Sequence, residues 1–240
     1  MPKAEKSKES FNVLAKPLGV VYNEEKNVLS GEETGMNDKW LEFAIRIQSI
    51  AQAGLHYGKD VYDRERYAEL RDIAAEMMAE RTDTPLEKVK GLFCSDSGYQ
   101  TPKADTRAAV FSDGKILLVH ENNGLWSLPG GWCDVDQSVK SNTEKEVKEE
   151  TGLTVRAEKL IAVQDWRKHN VVNYAYGVIK FFVMCRFEGG SFEENIETTG
   201  IGFFGKDELP DKLADEKCTK EQILMCFAAH ENPDAPTLFD

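Results

Sequence analysis

The 240-residue chain is 41% hydrophobic and 10% aromatic, enough to bury a core, which excludes a disordered chain or a disulfide-stapled miniprotein. Its 42 acidic against 30 basic residues leave a net charge of −12 and a pI near 4.9. That sign repels phosphate backbones and anionic lipid and argues against a nucleic-acid or membrane-surface binder. A nucleotide substrate stays open, because a divalent metal held by clustered carboxylates reverses the local sign.

No apolar run approaches the roughly 18 residues that span a bilayer; the longest are Ile116-Leu117-Leu118-Val119 and the segment 178–185, which Lys180 interrupts. The Lys/Glu-mixed opening reads against a secretory signal. Cysteines 94, 133, 185, 218 and 226 form no C-x-x-C pair and read as reduced thiols of a cytoplasmic protein. The length fits one domain with a substantial extension, or two small domains.

Residues 1–36 read as a tail, with one short strand at Val20-Val21-Tyr22. Asn37 or Asp38 is placed to cap a helix on which Trp40, Phe43, Ala44, Ile47, Ile50 and Ala51 recur at helical spacing. Gly58 ends that pattern, and Asp60 caps a second helix with Tyr67, Leu70, Ile73, Ala74, Met77 and Met78 on one face. Thr84-Pro85 opens a third helix to about Phe93, with proline at its first position. The unit 37–93 is thus a small all-α extension built on an αα-hairpin. Its Met/aromatic stripe reads as core or partner interface rather than a cofactor box. Leu41 and Ile45 flank the stripe, more apolar surface than two helices can bury alone, so the unit docks onto the rest of the chain or onto a second subunit.

Residues 94–103, rich in Ser, Asp, Gly, Thr and Pro, read as a linker to a domain over 104–240. There the periodicity turns to strands. Segments 107–111 and 115–120 flank Asp113-Gly114, a hairpin signal, and 155–165, 174–186 and 201–204 supply more. One helix runs from about Ser138 to Thr151, with Gly152 at a left-handed cap position, and a last one from about Thr219 to Glu231. The fold class is α+β.

The chemistry concentrates on the helix that ends at Gly152. Glu146, Glu149 and Glu150 stand at i, i+3 and i+4 and project from one face, while Val139, Thr143 and Val147 form another that packs on the sheet. Three like charges weaken an isolated helix. A divalent ion turns that repulsion into binding, and hard oxygen ligands without nearby His or Cys fit Mg²⁺ or Mn²⁺ rather than zinc. A plain solvated acidic face is the competing reading. The Gly130-Gly131 turn before the helix weighs against it, because it lets backbone approach a ligand where the acids point.

These residues resemble the Nudix hydrolase signature G-x5-E-x7-R-E-U-x-E-E-x-G-U, where U is bulky and aliphatic. Gly131, Glu146, Val147, Glu149, Glu150, Gly152 and Leu153 match at the required spacing. The helices with Trp40 to Ala44, Gln48 to Leu55 and Arg66-Tyr67, the stretch Tyr99 to Lys103, and the closing 233–236 and 238–240 are similar to a bacterial branch with a helical extension. That branch hydrolyses nucleoside diphosphates linked to another moiety, chiefly ADP-ribose and CDP-choline, and is commonly dimeric. The resemblance implies a mixed sheet sandwiched by helices, with Mg²⁺ or Mn²⁺ held by Glu146, Glu149 and Glu150, and with the Gly130 carbonyl in the metal shell. It implies a further acid six residues before a late-strand aromatic. Counting back from Phe203 gives Glu197 as metal ligand or general base, with Glu193 and Glu194 as runners-up.

Weaker substrate candidates surround this core. Arg107 reads either as an inward phosphate fork or as an edge-strand surface charge. Asp165, Trp166, Lys168 and His169 follow a strand end where substrate loops often sit, and Trp126 is a candidate to stack on a base or ribose. For all of these, ordinary packing or solvation is an equal alternative. Three positions depart from the family: Gln137 for the first glutamate, Lys145 for the arginine, and Gly200 where the branch usually has an acid. Lysine lacks the planar fork that orients the first metal-binding glutamate, so the departures point to a slower enzyme. They also define the competing reading, a nucleotide-binding or sensor module of the same fold.

Overall fold

The computed structural model describes residues 39–82, 84–170 and 176–240. The strand expected at Val20-Val21-Tyr22, the Asn37/Asp38 cap and the strand start expected at Tyr174 lie outside the described residues. The chain divides into two compact units, one up to Thr101 together with Tyr176, the other from Pro102 onward.

The first unit is helical: α1 (Lys39–Tyr57), α2 (Val61–Thr82) and α3 (Leu86–Phe93). Asp60 caps α2, its carboxylate accepting the Tyr62 and Asp63 N–H groups at 3.0 and 3.1 Å. Pro85 stands at the cap of α3, one position earlier than expected. The buried stripe is also displaced. Leu41, Ala44, Gln48, Ala51 and Gln52 face inward on α1, and Ala74, Ala75 and Met78 on α2. Trp40 and Ile50 are 62% and 61% exposed, and Phe43, Leu70 and Ile73 face outward too. The cause lies in two glutamines and four alanines. Gln48 Nε2 donates to the Phe93 carbonyl at 3.1 Å and Gln52 Nε2 to that of Gly98 at 3.0 Å, so both polar groups are satisfied inside.

The second unit is a mixed sheet between two helices. Its elements are β1 (Lys103–Ser112), β2 (Lys115–Glu121), β3 (Trp126–Ser127), α4 (Val139–Thr151), β4 (Leu153–Asp165), β5 (Val178–Gly190), β6 (Thr198–Phe204), α5 (Lys220–Glu231) and β7 (Leu238–Phe239). A 3₁₀ turn, Trp166–Lys168, follows β4. The strand order is β3-β2-β1-β5-β4-β7, and β6 pairs with β2. β1 runs antiparallel to β2 across a hairpin in which Asp113 and Gly114 take φ of 51° and 74°, as a type I′ turn requires. It runs parallel to β5, which needs the long crossover carrying α4 and β4.

Alternation along the strands fills both faces. Ala109, Ile116, Leu118 and Phe182 pack with Ile223, Cys226 and Phe227 of α5. Ala108, Val110, Leu117 and Val183 pack with Val147 of α4. The strands β3 and β7 were not anticipated, since two residues carry no period. Arg107 is not on an edge: β1 is central, and Arg107 is buried.

Candidate active site

The site begins with how β1 receives the loop before α4. Ala108 N–H donates to the Pro129 carbonyl at 2.8 Å, Thr106 N–H to that of Gly131 at 2.9 Å, and Cys133 N–H to that of Ala104 at 2.8 Å. The loop is therefore laid along β1 almost as a strand. Gly130 takes φ of +143°, and a Cβ there would stand 1.9 Å from the Thr106 carbonyl oxygen, so only glycine fits. That conformation turns the Gly130 N–H toward α4, where it donates to Glu150 Oε2 at 2.8 Å. A Cβ on Gly131 would lie 2.7 Å from Glu146 Oε2, so the second glycine leaves room for that carboxylate.

Local chemistry fixes α4 at both ends. Ser138 and Ser141 form a reciprocal capping box, and Gly152 closes the helix with φ of 73°. Asn142, buried and one turn ahead of Glu146, donates to Thr106 Oγ1 at 2.9 Å and to the Trp132 carbonyl at 3.3 Å, and accepts from Asp134 N–H at 3.1 Å. It ties helix, strand and glycine loop together. At the other end Asn195 Nδ2 donates to the Glu149 and Glu150 carbonyls at 3.1 and 2.9 Å, while its Oδ1 accepts from Glu197 and Thr198 N–H, both at 3.0 Å. The sequence reading missed both asparagines. Asn142 heads the i+4 row that continues through Glu146 and Glu150, which is the signal that marks it; Asn195, as the acceptor of an Asx turn, had only a loop context.

The three glutamates differ in environment. Loss of water lifts Glu150 to about 8, against the opposing pull of the Arg107 charge and the Gly130 N–H. Glu146, its side chain 15% exposed, is also raised, first by burial and then by its neighbour Glu149, with Lys145 pulling the other way. Lys145 lies among the acids: its Nζ is 2.7 Å from Glu149 Oε2, 3.2 Å from Asp134 Oδ2 and 3.5 Å from Glu146 Oε1. Partial burial works against its charge, but the bonds to Glu149 and Asp134 hold it above the usual lysine range. Among the described residues no three acidic, His or Cys side chains converge on one point. The carboxylates are instead tied to Lys145 and to Gly130.

Beneath the site lies a buried charge cluster. Arg107 makes a two-pronged contact to Asp105, 3.0 and 2.7 Å, and a longer bond of 3.3 Å to the Leu128 carbonyl. Lys180 Nζ reaches Asp105 at 3.0 Å and the Lys217 carbonyl at 2.7 Å. The Arg107 fork is thus engaged by a carboxylate, and its charge acts on Glu150 from below. Glu121, also buried and not anticipated, accepts from Ser127 at 2.9 Å and pairs with Lys217 at 2.8 Å.

The remaining candidates are dispersed. Glu193, Glu194 and Glu197 are exposed on the loop that Asn195 pins to the end of α4. Asp165 holds Arg167, and its N–H donates to Asp240 at 2.9 Å. His169 and Lys168 reach the same Asp240 carboxylate at 2.8 and 3.8 Å, and Trp166 is buried. Trp126 packs on His120 and Phe204, with ring centroids 4.7 and 4.9 Å away. Gln137 lies in the turn before Ser138, and Gly200 sits in β6 opposite His120. No helix among the described residues is long and apolar enough to cross a membrane.

Comparison with known proteins places this geometry. Residues 102–222 match the NUDIX domain model, and residues 38–93 match a model described as a UDP-X-like, N-terminal oligomerisation domain. The chain is 46% identical over 203 residues to the Bacillus subtilis (strain 168) protein named "Putative ADP-ribose pyrophosphatase YjhB", spanning 84% of this chain and 97% of that protein. A crystal structure of an ADP-ribose pyrophosphatase from Streptococcus suis is 54% identical, covering 58% of this chain and 100% of that one with a TM-score of 0.55. A crystal structure of a UDP-X diphosphatase is 34% identical, covering 84% and 98% with a TM-score of 0.56. With its second unit matched by the domain model and nearly the whole length of a relative aligned, the chain belongs to the Nudix hydrolase family.

Proposed function

We propose that this enzyme hydrolyses the diphosphate bond of a nucleoside diphosphate linked to a second moiety, of the ADP-ribose or CDP-choline type. The products are a nucleoside monophosphate and a phosphorylated partner. The observation that carries this is the acid row of α4 set against the Gly130-Gly131 loop, with backbone N–H and carboxylate already in contact. The relatives named for ADP-ribose and UDP-X substrates support the same class.

The donor chemistry, rather than a converged cage, fits a divalent ion: Glu146, Glu149 and Glu150 stand at i, i+3 and i+4 of α4 and offer oxygen donors alone. Glu146, Glu149, Glu150 and the Gly130 carbonyl would hold Mg²⁺, or Mn²⁺ in its place. When bound, the metal neutralises the diphosphate charge and acidifies water. The protein supplies the rest. Arg107 and Asp105 brace the strand under the loop, Asn142 and Asn195 fix α4 and the Glu197 loop, and Glu197 takes the proton of the attacking water, with Glu193 and Glu194 as alternatives. The Gln137 side chain bonds Asp136, while Lys145, at the arginine position, bonds Glu146 and Glu149.

Residues 37–93 form the helical extension, 94–103 the link and 104–240 the catalytic domain of a cytoplasmic homodimer. The outward Trp40, Phe43, Ile50, Leu70 and Ile73 supply the apolar contact face, and the oligomerisation-domain match supports it. The test is phosphate release, coupled to a phosphatase, across a panel of nucleoside diphosphate conjugates with Mg²⁺ and with Mn²⁺. Turnover of at least one conjugate is expected. Tight binding without turnover of any would favour the sensor reading.

A further inference from the structure

The arginine of the family signature is a lysine here, and its surroundings suggest a task an arginine fork would perform poorly. Lys145 Nζ lies between two acids of the proposed metal site, 2.7 Å from Glu149 and 3.5 Å from Glu146, where a compact point charge acts as a stand-in cation. It has a third contact. Asp134 Oδ2, in the loop after Gly131, lies 3.2 Å away on a residue outside the acid row. The Asp134 backbone is itself anchored, its N–H bonded to the buried Asn142 at 3.1 Å, so the residue that carries the third acceptor is tied to α4 independently of Glu149.

A divalent ion that takes Glu146 and Glu149 competes with an ammonium for the same carboxylates. An expelled charge with no partner would repel the incoming ion; an ammonium handed to a neighbouring carboxylate repels it less. We propose that Lys145 competes with a divalent ion for Glu149 and Glu146, serving as their counter-ion, and that Asp134 is the seat that keeps it when metal enters. Asp134 is thereby a positioning residue for metal uptake, acting only through Lys145. The inference rests on the reading of Glu146, Glu149 and Glu150 as metal ligands. It differs from a simple orienting role for residue 145 in that lysine here opposes metal as well as ordering the acids.

The energies are those of exposed ion pairs, since Asp134 and Glu149 side chains are 53% and 59% exposed. The expected changes are therefore modest, about two- to fivefold in affinity. The experiment is a double-mutant cycle on Mn²⁺ affinity of the full-length protein, with free Mn²⁺ counted by electron paramagnetic resonance and no substrate present. Lys145→Met should bind Mn²⁺ about two- to fivefold more tightly than wild type, and Asp134→Asn about two- to fivefold more weakly. Asp134→Glu should retain wild-type affinity. In the Lys145→Met background, Asp134→Asn should change affinity by less than about 1.5-fold, because its partner is gone. Equal weakening by Asp134→Asn in both backgrounds would show that the aspartate acts only as a distant negative charge, and would overturn the proposal while leaving the metal site intact. Weaker binding by Lys145→Met would overturn it too, by showing that lysine only orders the acids. Absence of Mn²⁺ binding by the wild-type protein would overturn both this inference and the metal-site reading.

Discussion

Replacing Asn142 by alanine perturbs the site without touching any of its acids. The side chain is buried and makes three hydrogen bonds, to Thr106 Oγ1, the Trp132 carbonyl and the Asp134 N–H. At about 1 kcal/mol net for each bond, with a further penalty for a donor left unsatisfied, Asn142→Ala should cost about 2–4 kcal/mol in urea unfolding. The loop it anchors carries Gly130 and Gly131, so kcat/KM on the best conjugate should fall about tenfold, equivalent to about 1.4 kcal/mol of barrier. Thr106→Val removes only one of the three bonds. It should cost about 1 kcal/mol alone and add little to Asn142→Ala, because the two changes share that bond. A loss below about 0.5 kcal/mol with full turnover would refute the claim that Asn142 couples helix, strand and loop.

Other expectations can be checked in parallel. Glu149→Gln or Glu150→Gln should cut turnover about a hundredfold or more, about 3 kcal/mol of barrier, in steady-state kinetics at saturating Mg²⁺. Gly130→Ala should lower both melting temperature and activity, since its Cβ would meet the Thr106 carbonyl oxygen at 1.9 Å; an unchanged melting curve would contradict the packing described. The folded value of Glu150, about 8, stands above that of an unfolded glutamate, so the folded metal-free protein binds the extra proton. Its stabilising effect is complete below the ordinary glutamate value and is lost as pH rises through about 8. The melting temperature of metal-free wild type, measured against Glu150→Gln, should therefore fall over that window, and a flat difference would refute the shift. The wild-type chain should sediment near twice its 27.0 kDa, and charged residues placed at Trp40 and Ile50 should yield monomer.

What was legible in the sequence was what local chemistry decides. Ser138 and Gly152 bracket α4, Thr219 caps α5, and Asp113-Gly114 turns the hairpin, each through contacts within a few residues. The acid row and glycine loop were equally plain, because helical spacing and a fixed motif need no tertiary information. Arg107 was not, because whether β1 is an edge or a centre depends on β5, where its partner is the distant Phe182. The buried face of α1 differs from the one the hydrophobic spacing predicts for a related reason. Trp40, Phe43 and Ile50 have the hydrophobicity, but Gln48 and Gln52 find carbonyl partners on a distant loop, and small alanines let α2 approach. Likewise β3 and β7 exist only as pairings to longer strands, so two-residue segments gave no periodic signal.

If the acids of α4 drive diphosphate hydrolysis through a divalent ion, the full-length wild-type chain should form AMP from ADP-ribose only with metal present, as followed chromatographically in Mg²⁺ and in EDTA. AMP and ribose 5-phosphate should appear together in Mg²⁺ and cease to form in EDTA, with activity returning when Mg²⁺ is restored. Formation of AMP at the same rate in EDTA would show that hydrolysis does not depend on a divalent ion.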